Sequence, residues 1–124
     1  MIKNNRNIYS VLEIEKTSEG ANYLIEIDFS QPIFQGHFPN KAVLPGVIMC
    51  DIIRYQASEL LEKKLYLYSA KNIKFSRMII SSKDNKYNIK LISYKKHNQY
   101  DIKATISKND KIYFKINAKY QEKT

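Results

Sequence analysis

The chain has one cysteine, three glycines and three prolines among 124 residues, and no long unbroken run of apolar side chains. Each scarcity excludes something. A lone cysteine, Cys50, cannot close an internal disulfide, so nothing calls for an oxidising compartment and a cytoplasmic location is the default expectation. No stretch approaches the roughly 18 to 20 consecutive apolar residues that a membrane span needs. Met1 to Arg6 is polar with no apolar signal segment behind it, which points to a soluble, unprocessed protein. Acidic residues are also few: 12 Asp and Glu against 21 Lys and Arg leave a net charge of +9. That balance attracts an acidic partner, whether nucleic acid, an anionic membrane or an acidic carrier protein. A codon bias towards Lys, Asn, Ile and Tyr produces the same balance with no function behind it.

What is present is 44% apolar residues, enough for one continuous core, so residues 1–124 are read as a single domain. Asn7 to Ile14 and Ala21 to Phe29 read as a hairpin whose connection, Lys16 to Gly20, ends in a glycine suited to positive φ. In the second strand Tyr23, Ile25, Ile27 and Phe29 share one face. Ser30 to Pro45 holds all three prolines and is an ordered loop. From Gly46 to about Lys63 the pattern turns helical, with apolar residues covering nearly the whole circumference of the first three turns, so other structure should wrap this helix. Pro45 suits its start, where a missing N–H is harmless. Strands follow at about Leu65 to Ser69, Asn72 to Ile79, Lys86 to Tyr94, Gln99 to Ser107 and Lys111 to Tyr120, joined by short polar turns as in an antiparallel meander. In the last two, Tyr100, Ile102, Ala104 and Ile106, and then Ile112, Phe114, Ile116 and Ala118, form the apolar faces. An antiparallel sheet curled around one apolar helix is the simplest α+β arrangement, with part of the cover supplied by a second subunit.

The stretch from Gln35 to Asp51 places a histidine in a glycine- and proline-shaped loop, then a helix start, then a carboxylate just over one turn inside an apolar helix. A base, a dipole for a developing oxyanion and an acid are the three groups that elimination of water beside a thioester requires. Imidazole, free N–H groups at a helix start and a carboxyl suit those roles.

His37-Phe38-Pro39, then Leu44-Pro45-Gly46-Val47, then Asp51 fourteen positions after the histidine, resembles the active-site signature of the hot-dog-fold 3-hydroxyacyl-carrier-protein dehydratases. Phe34-Gln35-Gly36 also matches the approach to the histidine. The resemblance implies that His37 removes the C2 proton, Asp51 acts on the 3-hydroxyl, and the Gly46 N–H holds the thioester oxygen, with Phe38, Pro45 and Val47 also against the substrate. It implies a homodimer, or a higher oligomer of dimers, whose sites combine the histidine of one subunit with the carboxylate of the other. The acyl chain, brought by an acidic acyl carrier protein, lies between subunits, and no metal or organic cofactor is used.

The chain departs from that pattern at Asn40, at Ala42 and in Ile52-Ile53-Arg54-Tyr55-Gln56, where the family prefers small residues and a glutamine one place earlier. Phe75 to Asp84 resembles its next strand but lacks a Pro-Gly before the aspartate. These changes describe a divergent branch serving a specialised lipid or polyene pathway. Arg54 lies three residues from Asp51, on the same helix face, and the two suit an ion pair. Lys71, Lys74, Arg77, Lys95 and Lys96 form a candidate carrier-protein docking surface. Cys50 reads as helix packing and His97 as an exposed turn residue. The alternatives are a non-catalytic hot-dog subunit paired with an active paralogue, a hot-dog thioesterase, and a basic, Tyr-rich single-strand nucleic-acid binder, against which the wrapped apolar helix argues.

Overall fold

The computed structural model describes residues 8–34 and 41–123. Strands β1 (Tyr9–Lys16) and β2 (Gly20–Ile27) form the expected hairpin, and a short 3-10 turn (Pro32–Phe34) follows. Helix α1 (Gly46–Leu61) leads to β3 (Leu65–Phe75), β4 (Lys86–Lys96), β5 (Gln99–Lys108) and β6 (Lys111–Glu122). The strands form one antiparallel sheet in the order β1-β2-β4-β5-β6-β3. Among the described residues no helix is long and apolar enough to cross a membrane.

Alternation along the strands builds the core. Ala21, Tyr23, Ile25 and Ile27 of β2 are buried, as are Tyr87, Ile89 and Leu91 of β4 and Tyr100, Ile102, Ala104 and Ile106 of β5. Against this surface α1 buries Ile48, Met49, Ile52, Ile53, Gln56 and Ala57. Within this chain the opposite side of the helix is left open, the part for which cover by a second subunit was expected: Val47 is 74% exposed, and Cys50, Asp51 and Arg54 are only half-buried.

Several local expectations change. The two strands expected from Leu65 to Ser69 and from Asn72 to Ile79 are one strand, β3, bent by irregularities between Leu67 and Ser69 and between Ala70 and Asn72. It crosses over to pair with β6 instead of β4, so only β4, β5 and β6 form a meander. Ile79 to Ser81 instead hold the loop that feeds α1. The Leu44 N–H donates to the Ile79 carbonyl at 2.9 Å, and the Ser81 N–H to the Ala42 carbonyl at 2.9 Å. A register shift between Ile106 and Ser107 accompanies the 45% exposure of Ile112, and Tyr120 extends the buried face of β6 at its other end. Gly20 does not adopt positive φ; a Cβ there would lie 1.8 Å from the Leu91 carbonyl oxygen, so close approach of two backbones explains the glycine.

Candidate active site

The site grows from the way the chain enters α1. Pro45 is the N-cap, with φ −66° and ψ 149°, and its carbonyl accepts from the N–H groups of Ile48 at 3.1 Å and Met49 at 3.2 Å. The N–H groups of Gly46 and Val47 precede that ladder, at the positive end of the helix dipole. Gly46 sits beneath the Phe75 ring, where an added Cβ would come within 2.7 Å of ring carbons. A groove of about 440 Å³ runs here, lined by Pro45, Gly46, Met49, Phe75, Arg77 and Met78.

A second groove, of about 270 Å³, opens beside the next turn, with Val47, Cys50, Asp51, Arg54, Leu67 and Tyr120 in its walls. Asp51 and Arg54 make the ion pair their spacing suggested. Arg54 Nε donates to Asp51 Oδ1 at 3.1 Å and Nη2 lies 3.1 Å from the same oxygen, while Nη1 donates to the Leu65 carbonyl at 3.3 Å. Each side chain retains 23% exposure, so the pair stands at the groove wall and not in the core. Burial pushes the Cys50 thiol above its ordinary value, and the neighbouring Asp51 charge adds to this, so it is a poor nucleophile. Burial also pushes Tyr120 up to about 12, with Cys50 adding to the rise and the Arg54 cation opposing it.

Of the residues read from the sequence, Pro45 is the N-cap and Gly46, Val47 and Asp51 fall within the first two turns of the same helix. His37 and Phe38 lie outside the described residues. His97 is an exposed residue with φ 59° in the β4–β5 turn. The five basic residues grouped as one docking surface are all exposed but separate into two. Lys95 lies on the row through Tyr100 and Tyr120 to Leu67, seven residues along β3 from Lys74. At strand rise that is about 23 Å. Lys74 instead neighbours Lys115, with Arg77 just beyond at the mouth of the Gly46 groove. Leu67 and Tyr120 carried no signal in the sequence, since their strands reach the site only through the β3–β6 crossover. No group of three or more His, Cys, Asp or Glu among the described residues could hold a metal.

The model of the ApeI-like family, described as ApeI dehydratase, matches residues 13–120. The chain belongs to the ApeI-like dehydratase family. Among solved structures, a chain of the dehydratase heterocomplex ApeI:P from Xenorhabdus doucetiae superimposes with a TM-score of 0.72 at 21% identity, covering 91% of this chain and 97% of that one. The fold is thus the α+β hot-dog fold, an antiparallel sheet around one central helix. The 3-hydroxyacyl-(acyl-carrier-protein) dehydratase FabZ of Clostridium acetobutylicum is 34% identical over 77 residues, covering 56% of this chain and 54% of that protein. FabZ of Idiomarina loihiensis is 32% identical over 80 residues, covering 54% and 52%. The chain spans about half the length of these curated relatives.

Proposed function

We propose that this ApeI-like chain dehydrates 3-hydroxyacyl thioesters on acyl carrier protein to trans-2-enoyl thioesters, in cytoplasmic fatty-acid or related lipid or polyene biosynthesis. The observation that carries the reading is the placing of a half-buried carboxylate, Asp51, in a groove wall just over one turn from the amide-presenting helix start at Gly46. In this reading His37 takes the C2 proton, and the electron pair moves into the thioester, whose oxygen is held by the Gly46 N–H. The C3–O bond then breaks, Asp51 engages the departing hydroxyl directly or through water, and the hydroxyl leaves as water with a proton from this His37–Asp51 pair. Phe38, Pro45 and Val47 contact the substrate. Arg77, at the mouth of the Gly46 groove, and Lys74, three residues before it, receive the acidic carrier protein.

The open face of α1 and the exposed apolar side chains of Val47, Leu67, Phe75 and Met78 support assembly of two copies along the β3 edge, with the site shared between them. A single domain in a homodimer, or in a higher oligomer of dimers, follows from the same reading. The test is mass-spectrometric detection of water loss from 3-hydroxyacyl carrier proteins of several chain lengths. Wild type forms enoyl product, whereas His37→Ala and Asp51→Asn, both folded, lose at least about a hundredfold in rate. Release of free carrier thiol would reassign the chain as a thioesterase. A second reading, a non-catalytic subunit that needs an active paralogue, is favoured by the Arg54 contact to Asp51 and by the heterocomplex named for the structural neighbour. A folded wild type inactive alone but active with such a partner would select it.

A further inference from the structure

We infer that Arg54 is the positioning residue of the site: it holds the Asp51 carboxylate in its working orientation and ties it to strand β3. The inference rests on the reading of Asp51 as a catalytic group. Residues on a helix advance by about 100° each, so position 56 lies roughly 140° round from Asp51 while position 54 lies about 60° away. The glutamine of this chain has accordingly left the acid's side of the helix. Gln56 is 4% exposed and accepts from the Tyr9 hydroxyl at 2.5 Å, on the sheet side of the helix. Arg54 is the cation on the acid's own face.

Its geometry is that of a clamp. Two guanidinium nitrogens, Nε and Nη2, converge at 3.1 Å on Oδ1 alone, and the third, Nη1, reaches the Leu65 carbonyl at 3.3 Å. The guanidinium carbon lies 5.9 Å from the centroid of the Tyr66 ring. One planar group therefore joins the second turn of α1 to the first two residues of β3. A guanidinium has the forked, rigid donors to do this, whereas a lysine ammonium would supply charge without orientation. Arg54 also lines both the groove beside Asp51 and the larger groove towards the end of α1. It acts through Asp51, whose orientation it sets relative to Val47, Leu67 and Tyr120.

The experiment is a double-mutant cycle of Arg54→Met and Asp51→Asn on the full chain, assayed for water loss from 3-hydroxyacyl carrier protein. Melting temperature is recorded for every variant. The clamp predicts that Arg54→Met lowers kcat by about a hundredfold with KM little changed, the size of effect that misplacing a catalytic group produces. It also predicts partial recovery in Arg54→Lys, partial rescue of Arg54→Met by millimolar guanidinium, and no further loss when Arg54→Met is added to Asp51→Asn. If Arg54→Met keeps kcat within about twofold while Asp51→Asn abolishes turnover, the inference is overturned and the dehydratase reading stands. Losses that add in the double variant, or a fall in melting temperature with no guanidinium rescue, assign Arg54 a structural role and also overturn it. A folded wild type inactive on every substrate removes the dehydratase reading, and the inference falls with it.

Discussion

At the scale of single residues, two glycines show how one residue type meets different demands. Gly46 faces the Phe75 ring, and that ring is 53% exposed, so it can swing aside; Gly20 faces the Leu91 carbonyl, which belongs to a paired strand and cannot. Gly46→Ala should therefore alter stability by no more than about 1 kcal/mol, helped by alanine's better helix propensity. Displacing Phe75 reshapes the groove at the helix start, so the same variant should lose about tenfold or more in dehydration rate. Gly20→Ala should show the reverse, a loss of about 2 kcal/mol or more from overpacking, with kcat retained in whatever fraction stays folded. Urea denaturation paired with the carrier-protein assay separates the two. Equal stability losses would mean that Phe75 is held as rigidly as the Leu91 backbone.

Among the elements, α1 divides its work between faces. The sheet side is apolar except for Gln56, and its amide oxygen is committed to the Tyr9 hydroxyl. Gln56→Leu removes that acceptor and leaves a buried hydroxyl, a change that should cost about 1 to 3 kcal/mol. Adding Tyr9→Phe should restore part of the loss, so that the double variant is more stable than Gln56→Leu alone; chemical denaturation of the four proteins measures it. A double variant weaker than either single one would show that packing, and not the hydrogen bond, governs the contact. The other face keeps Asp51 and Arg54 at the surface of this chain because β3 is an edge strand that covers it only in part. Thus one helix carries both the core and the site, and the bends in β3 help bring Leu67 towards Asp51.

For the whole molecule, the core contains several phenols, Tyr9, Tyr23, Tyr87, Tyr100 and Tyr120 among them. Burial raises Tyr9 far above the ordinary tyrosine range, Tyr55 adding to the effect, and pushes Tyr87 and Tyr120 to about 12. A group whose proton affinity is higher in the folded chain than in the unfolded one stabilises the fold below its unfolded value, near 10 for tyrosine. That contribution is fully present at neutral pH and is lost as pH rises from about 10 through 12. Urea midpoints should therefore fall steeply across that window, and the phenolate absorbance of the buried tyrosines should appear together with loss of secondary structure. Phenolate formation in a still-folded protein would show these rings to be reachable by solvent. At the same scale, basic charge is spread along cross-strand rows, as at Lys74 and Lys115, instead of gathering Lys71, Lys74, Arg77, Lys95 and Lys96 into one patch.

Local pattern was enough for the class of every long element, for the buried faces of β2 and β5, and for the spacing that sets Pro45, Gly46, Val47 and Asp51 on one helix start. Those features depend on residues within a turn or a strand of one another, where periods of 3.6 and 2 operate. The merging of two expected strands into β3, its pairing with β6 and the division of the basic residues between two ends of the sheet depend on partners tens of residues away. The uncovered face of α1 has the same origin: periodicity shows which residues are apolar, but only the placing of the sheet decides which of them it buries. The Arg54 to Asp51 contact was legible from a spacing of three, whereas its anchor on the Leu65 carbonyl was not, because a backbone acceptor leaves no mark in the sequence and is brought there by the fold.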